Sequence, residues 1–115
     1  MYNNLILYRN ELKNKSIYKY KITGIVSELL FSKKIFPKNN DIKLFLKEVF
    51  ELEFKEYVMK SRTLIVSHLI KLIYISEEEN DYKKNLLKFI NFKIEEIRKN
   101  ENIKMDKNEF DGWIK

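Results

Sequence analysis

The chain of 115 residues has no cysteine, one proline, two glycines and a single histidine, and it lacks alanine and glutamine altogether. Without cysteine there are no disulfides and no thiolate metal sites, so a reducing compartment, the cytoplasm, is the expected location. One histidine, His68, removes paired-histidine metal sites and most general-base arrangements. It lies beside Ser67 on an apolar segment, where a partly buried structural or surface role is expected. Neither glycine belongs to a phosphate-cradling loop. No apolar run approaches the ~18 residues that cross a bilayer. The first twelve residues show no basic segment followed by an apolar one, so no secretory signal is read. Nor is there a lipidation signal or a strongly amphipathic basic face for a membrane surface. These absences leave a binding protein as the expectation: no catalytic residues, no metal, no cofactor and no membrane.

Apolar residues make up 44% of the chain, enough to bury a core, and the length fits one domain over residues 1–115. Lysine, asparagine and isoleucine dominate, as codon bias from an AT-rich genome would give, such as that of a low-GC bacterium, plasmid or phage. Such bias spreads lysines evenly, yet the charge is uneven. Residues 1–40 hold eight Lys/Arg against Glu11 and Glu28, whereas residues 41–75 are near balance and residues 76–115 are slightly acidic. The formal net charge of +6 therefore sits in the first third. A local positive field that attracts phosphate is one reading, and a solvated face balanced by Glu77, Glu78 and Glu79 is the other. The acidic cluster Glu51, Glu53 and Glu56 reads as corner and solubilising charge rather than as a cation site.

The apolar periodicity is mostly helical, and it predicts a compact bundle of four to five helices. A first helix is expected over Asn3–Lys13, and a second from an N-cap at Ser16 with Ile22, Ile25, Val26, Leu29 and Leu30 on one side. The alternation in Ile17–Ile22 leaves a short N-terminal strand or wing as the alternative there. Phe36-Pro37 is expected to end that segment. Ile42, Phe45, Leu46, Val49 and Phe50 give the cleanest amphipathic helix, capped from Asn39, Asn40 and Asp41. A longer apolar helix is predicted from about Lys55 to Ile75. Ser76 with Glu79 reads as a capping box opening a last helix along Leu86, Leu87, Ile90, Ile94 and Ile97. After Asn100 a polar tail is expected, either flexible or folded back on the bundle through Phe110, Trp113 and Ile114. Exposed, those three residues would instead anchor a partner protein.

Residues 41–75 read as two helices in close succession. The stretch Lys60-Ser61-Arg62-Thr63-Leu64-Ile65-Val66-Ser67-His68-Leu69 resembles the start of a recognition helix in helix-turn-helix DNA-binding proteins. That resemblance implies double-stranded DNA as partner, with Ser61, Arg62 and Thr63 facing bases and Lys60 and Lys55 on the backbone. It also implies bidentate contact of Arg62 with a guanine edge. Two partitions fit: helices over 41–51 and 55–75, or a short helix over Phe54–Lys60 with the second beginning after Ser61. Neither contains the glycine that the family usually places in its turn. The alternative is that Ser61 and Thr63 are small residues where helices pack.

Lys13, Lys15, Lys19, Lys21, Lys33, Lys34 and Lys38 would then supply phosphate contacts. Dimerisation through the C-terminal helix would pair two half-sites. Tyr2, Tyr8, Tyr18 and Tyr20 interleave with these bases, as stacking on nucleic acid would use, but tyrosine equally fits the rim of a core. The expected function is a site-specific regulator or accessory factor on DNA in a bacterial, plasmid or phage system. The alternative is a small helical protein-interaction module, such as an inhibitor, immunity or anti-defence protein, with no nucleic-acid contact.

Overall fold

With glycine and proline so scarce, almost nothing interrupts helix formation, and the chain is mainly helical. A computed structural model describes residues 2–76 and 80–114, with side chains described over 2–76 and 82–100. Among these residues six helices follow one another: α1 (Tyr2–Leu12), α2 (Lys19–Phe31), α3 (Asn39–Phe50), α4 (Glu56–Met59), α5 (Arg62–Ile75) and α6 (Asn80–Ile114). None is long and apolar enough to cross a membrane.

Several boundaries differ from expectation. The alternating stretch Ile17–Ile22 forms no strand or wing. Ile17 is a buried loop residue whose N–H bonds back to the Asn14 carbonyl at 3.3 Å, and α2 starts at Lys19 rather than after Ser16. α2 ends at Phe31, before Pro37, and Ile35 and Phe36 are buried from the connecting loop. Of the two partitions expected for 55–75, the single helix does not form and the other does: a short helix ends before Lys60 and a second begins after Ser61, whose hydroxyl accepts the Leu64 N–H at 3.3 Å and starts α5 afresh. Ser76 is the C-cap of α5, and its expected partner Glu79 lies outside the described residues. The tail expected after Asn100 is instead the continuation of α6 to Ile114, because nothing between Asn100 and Gly112 breaks a helix. The side chains of Phe110, Trp113 and Ile114 lie outside the described residues.

Where a helix must stop without glycine, the chain uses a strained substitute. Glu51 caps α3 in the left-handed conformation (φ 55°, ψ 40°), and the Leu52 N–H reaches back to the Leu46 carbonyl at 3.1 Å. At the other end of α3 the Asp41 carboxylate accepts the backbone N–H of Lys38 at 2.9 Å, an acid placed at the positive end of the helix.

The helices form two joined layers. α6 packs antiparallel to α1 and α3: Lys83 Nζ donates to the Asn14 carbonyl, Arg98 Nε to the Tyr2 hydroxyl, and Asn85 Nδ2 to the Val49 carbonyl. This layer is aromatic. Phe45 is fully buried and meets Phe36 at 5.2 Å, Phe89 at 4.8 Å and Phe50 at 5.8 Å between ring centroids. The second layer pairs α2 with α5, with α4 against α5. Its core is mostly aliphatic: Ile22, Val26, Leu29 and Leu30 of α2 and Ile65, Val66, Leu69 and Ile73 of α5 are buried, with Thr23 and Met59 beside them. α2 and α5 also run antiparallel, because the Lys19 ammonium at the start of α2 donates to the Tyr74 and Ser76 carbonyls at the end of α5. The Cα extents of 59 × 35 × 18 Å describe a thin slab, its long axis matching a 35-residue α6 of about 52 Å.

Candidate nucleic-acid interface

The antiparallel pairings sort the basic residues between two poles of the molecule. The first pole gathers the C-terminus of α2, the loop with Lys33, Lys34 and Lys38, and the N-termini of α3 and α5. The second gathers the end of α1, the start of α2 and the C-terminus of α5. The length of the 14-residue α5, about 20 Å, separates them. Lys33, Lys34 and Lys38 therefore stand with Lys60 and Thr63, all exposed, at the first pole. Glu28, Asp41 and Glu56 are the carboxylates closest to them along the chain, and Glu96 of α6 lines the same cleft as Lys34. Lys13, Lys15, Lys19 and Lys21 stand at the opposite pole. Lys19 is engaged as the cap of α5, and Lys21 pairs with Glu11 at 3.3 Å on an exposed surface. The basic N-terminal third is thus not a single patch.

The residues assigned to base reading also separate. Ser61 is half-buried and committed to the α5 cap. Arg62 is half-buried as well: its Nε donates to Asn39 Oδ1 at 2.9 Å, and its Nη1 is shut off from solvent without a partner. Asn39 in turn donates to the Met59 carbonyl at 3.1 Å. This chain ties the start of α3 to the end of α4 and the start of α5. A guanidinium held there is a helix-to-helix tie, and contact with a base edge would require it to leave. Thr63 and Lys60 remain on the surface, and Lys55, the N-cap residue of α4, is exposed too. The connection between α3 and α5 holds α4 within it, and α4 is a single turn, so residues 41–75 do not make two full helices across a tight turn.

On the outer face of α5, Lys60 and Thr63 are expected from the sequence, whereas Ser67, Lys71 and Tyr74 are not. With Ile65, Val66, Leu69 and Ile73 buried, Thr63, Ser67, Lys71 and Tyr74 form the opposite row, continued backward by Lys60. No carboxylate occurs between Glu56 and Glu77, although the chain carries 17 Asp and Glu. α2, packed alongside, has one, Glu28, and it accepts a hydrogen bond from the Tyr8 hydroxyl on α1. Burial, helped by that bond, pushes the Tyr8 phenol well above its usual range. The fold therefore sets two acid-poor stretches side by side, and their exposed residues are hydroxyls, ammonium groups and the apolar side chains of Tyr20, Phe31, Leu64, Leu72, Tyr74 and Ile75. The burial pattern of α5 was the available signal, since the exposed row is the complement of the apolar one.

Of the four N-terminal tyrosines, Tyr8 is buried and Tyr2 is half-buried, as core-rim residues are. Tyr18 and Tyr20 are exposed and stack on each other, with centroids 5.6 Å apart and ring planes 13° off parallel. His68 is half-buried on the inner flank of α5 with its ring 5.7 Å from that of Phe54. Among the described residues no group of three or more His, Asp or Glu is placed to hold a metal ion. No family model, curated protein or solved structure matches this chain.

Proposed function

We propose that the protein binds double-stranded DNA through the outer face of α5, as a site-specific regulator or accessory factor. The observation that carries this reading is the run of residues 57–76, α5 included, without a single carboxylate in a chain otherwise rich in them. A polyanion is repelled by a carboxylate and attracted by an ammonium group, so a helix cleared of acids suits a groove lined by phosphates. An α-helix of 10–12 Å diameter fits the major groove, which is about 12 Å wide. Thr63 and Ser67 offer short hydroxyls to base edges, Lys71 and Lys60 reach phosphate or guanine, and Lys33, Lys34 and Lys38 grip the backbone beyond the α5 N-terminus. Arg62 supports this face from behind, by holding the first turn of α5 against α3. Lys13 and Lys15 stand about 20 Å from that pole and have no part in base reading.

The test is a titration against duplex DNA from the protein's own genetic neighbourhood, against scrambled duplex, across a salt series. Site-specific binding whose log affinity falls steeply with log salt, and which Ser67→Ala and Lys71→Ala weaken without loss of stability, is the expected result. Absence of binding to any duplex near ~50 mM salt overturns the reading, because even non-specific contacts register there.

A second reading, a protein-interaction module, has its own observation. Leu44 on α3 and Phe92 on α6 are 62% and 66% exposed and flank a cleft of about 520 Å³ floored by Phe36, Phe45 and Phe89. Exposed apolar side chains at the edge of an aromatic cleft are what a partner's anchor residue would use. Retention of one stoichiometric protein partner, lost on Leu44→Asp, together with no duplex binding, would replace the first reading by this one.

A further inference from the structure

A cleft of about 640 Å³ lies between α3 and the segment that follows it, and its charges are sorted by end. Lys43 and Lys47 line it from within α3, and Glu51 and Glu53 line it from the helix cap onward. All four are exposed, and among the described residues none of them forms an ion pair or a side-chain hydrogen bond. Lys43, Lys47 and Glu51 recur every fourth residue and so share one row of α3. The other carboxylates of this helix, Asp41 and Glu48, fall on the far side of Leu44 and line the aromatic cleft instead. Between the two charged ends the lining is apolar, from Leu44, Leu52 and Phe54.

The wall that faces α3 is irregular backbone. Leu52 and Phe54 are half-buried and Glu53 between them is exposed, the alternation that an extended stretch gives. The Leu52 N–H returns to the Leu46 carbonyl, whereas the N–H groups of Glu53 and Phe54 meet no backbone acceptor among the described residues. This wall begins at Glu51, whose left-handed backbone glycine would hold with less strain. What glutamate adds there is a carboxylate at the acidic end of the cleft.

We infer that the cleft binds a short extended segment of a partner protein, acidic at the Lys43–Lys47 end, apolar in its middle and basic at the Glu51–Glu53 end. Lys43 and Glu51 are eight positions apart, a rise of about 12 Å along the helix. Roughly three to four extended residues, at about 3.3–3.6 Å each, span that length. Charge complementarity calls for an occupant that carries both signs at opposite ends. The unpaired N–H groups of Glu53 and Phe54 favour peptide over a small organic molecule, because a strand can pair with them while its alternate side chains enter the cleft. The inference does not depend on the DNA reading of α5.

Four end-blocked tetrapeptides serve as probes: Glu-Leu-Leu-Lys, Glu-Leu-Leu-Glu, Lys-Leu-Leu-Lys and Glu-Ser-Ser-Lys. Each is titrated to ~5 mM into the protein while backbone amide shifts are followed by NMR. Glu-Leu-Leu-Lys is expected to bind about fivefold more tightly than the other three, with shifts concentrated at Lys43–Lys47 and Leu52–Phe54. The double variant Lys43→Glu, Lys47→Glu alters exposed side chains only and is expected to melt within about 5 °C of the unmodified protein. In that variant the preference is expected to pass from Glu-Leu-Leu-Lys to Lys-Leu-Leu-Lys, an exchange that neither unfolding nor general adhesion produces. The inference falls if no probe moves these amides at ~5 mM, if all four bind alike, or if charge reversal leaves the preference unchanged. Shifts centred on Phe36, Phe89 and Phe92 would also overturn it, by assigning the peptide to the aromatic cleft.

Discussion

The two layers of this molecule solve different problems with different residues. The α1/α3/α6 layer closes around a cluster of aromatic rings, and α3 and α6 carry acids and bases together on their outer surfaces. The α2/α5 layer is closed by aliphatic side chains and is almost without acid. Rings interlock in a few geometries and bring large buried areas, so the first layer sets how firmly the fold stands. Branched aliphatics on two antiparallel helices leave a regular outer surface, so the second layer offers a face whose charge is free to serve binding.

The sharpest test of that division is Phe45→Ala. It removes the ring that meets three others and should cost about 3–5 kcal/mol in urea unfolding, whereas Ser67→Ala on the outer face should stay within about 0.5 kcal/mol. Equal losses at the two sites would erase the division.

Next in size is the tie between the layers. Arg62→Ala should cost roughly 1–3 kcal/mol, since it strips Asn39 of its donor beneath the first turn of α5. Asn39→Ala should cost a similar amount, and the double variant less than the two combined, a coupling read from a double-mutant cycle. Additive losses would mean that the Arg62 side chain acts elsewhere, base reading included.

Tyr8 joins α1 to α2 and gives the comparison a pH dependence. Its folded-state pKa is raised above the ordinary 10.0, by burial first and then by the bond to Glu28. The unfolded chain thus releases the phenolic proton before the folded one does. Tyr8 therefore contributes its full stability below about pH 10 and loses it as pH rises beyond. Tyr8→Phe should flatten the stability lost between urea melts at about pH 9 and about pH 11. An unchanged slope would place the phenol in water.

The smallest effect concerns the corner after α3. Glu51→Gly relieves a left-handed non-glycine residue and should raise stability by about 1 kcal/mol, visible as a higher urea midpoint with an unchanged slope. A loss instead would show that the glutamate side chain holds the corner.

Much of the fold was legible residue by residue. Ile42, Phe45, Leu46 and Val49 announce α3 because one side of that helix is buried and the other is wet, and the sequence alternates accordingly. α5 announced itself less clearly, being apolar on more than half its circumference, so its break from α4 at Ser61 stood only as one of two partitions and most of its outer row did not stand out. The alternation in Ile17–Ile22 suggested a strand because a buried loop residue, Ile17, happens to precede a helix that buries Ile22. The lysines of the first third looked like one basic region because they are consecutive along the chain. An intervening helix carries them to opposite poles.

The sequence by itself determined that the protein is a helical bundle, since scarce glycine and proline and a 3.6-residue apolar period leave the backbone little else to do. It also determined where the carboxylates are missing. Only the tertiary structure decided that the two acid-poor stretches, residues 12–27 and 57–76, lie against each other as α2 and α5, because antiparallel packing joins segments some fifty residues apart through Lys19 and the end of α5. It likewise decided that Arg62, by type the natural base reader, faces inward to Asn39 while Ser67 and Lys71 face out. Charge is written locally in a chain, but which charges share a face depends on helix rotation and pairing, and those are fixed by how the buried side chains fit.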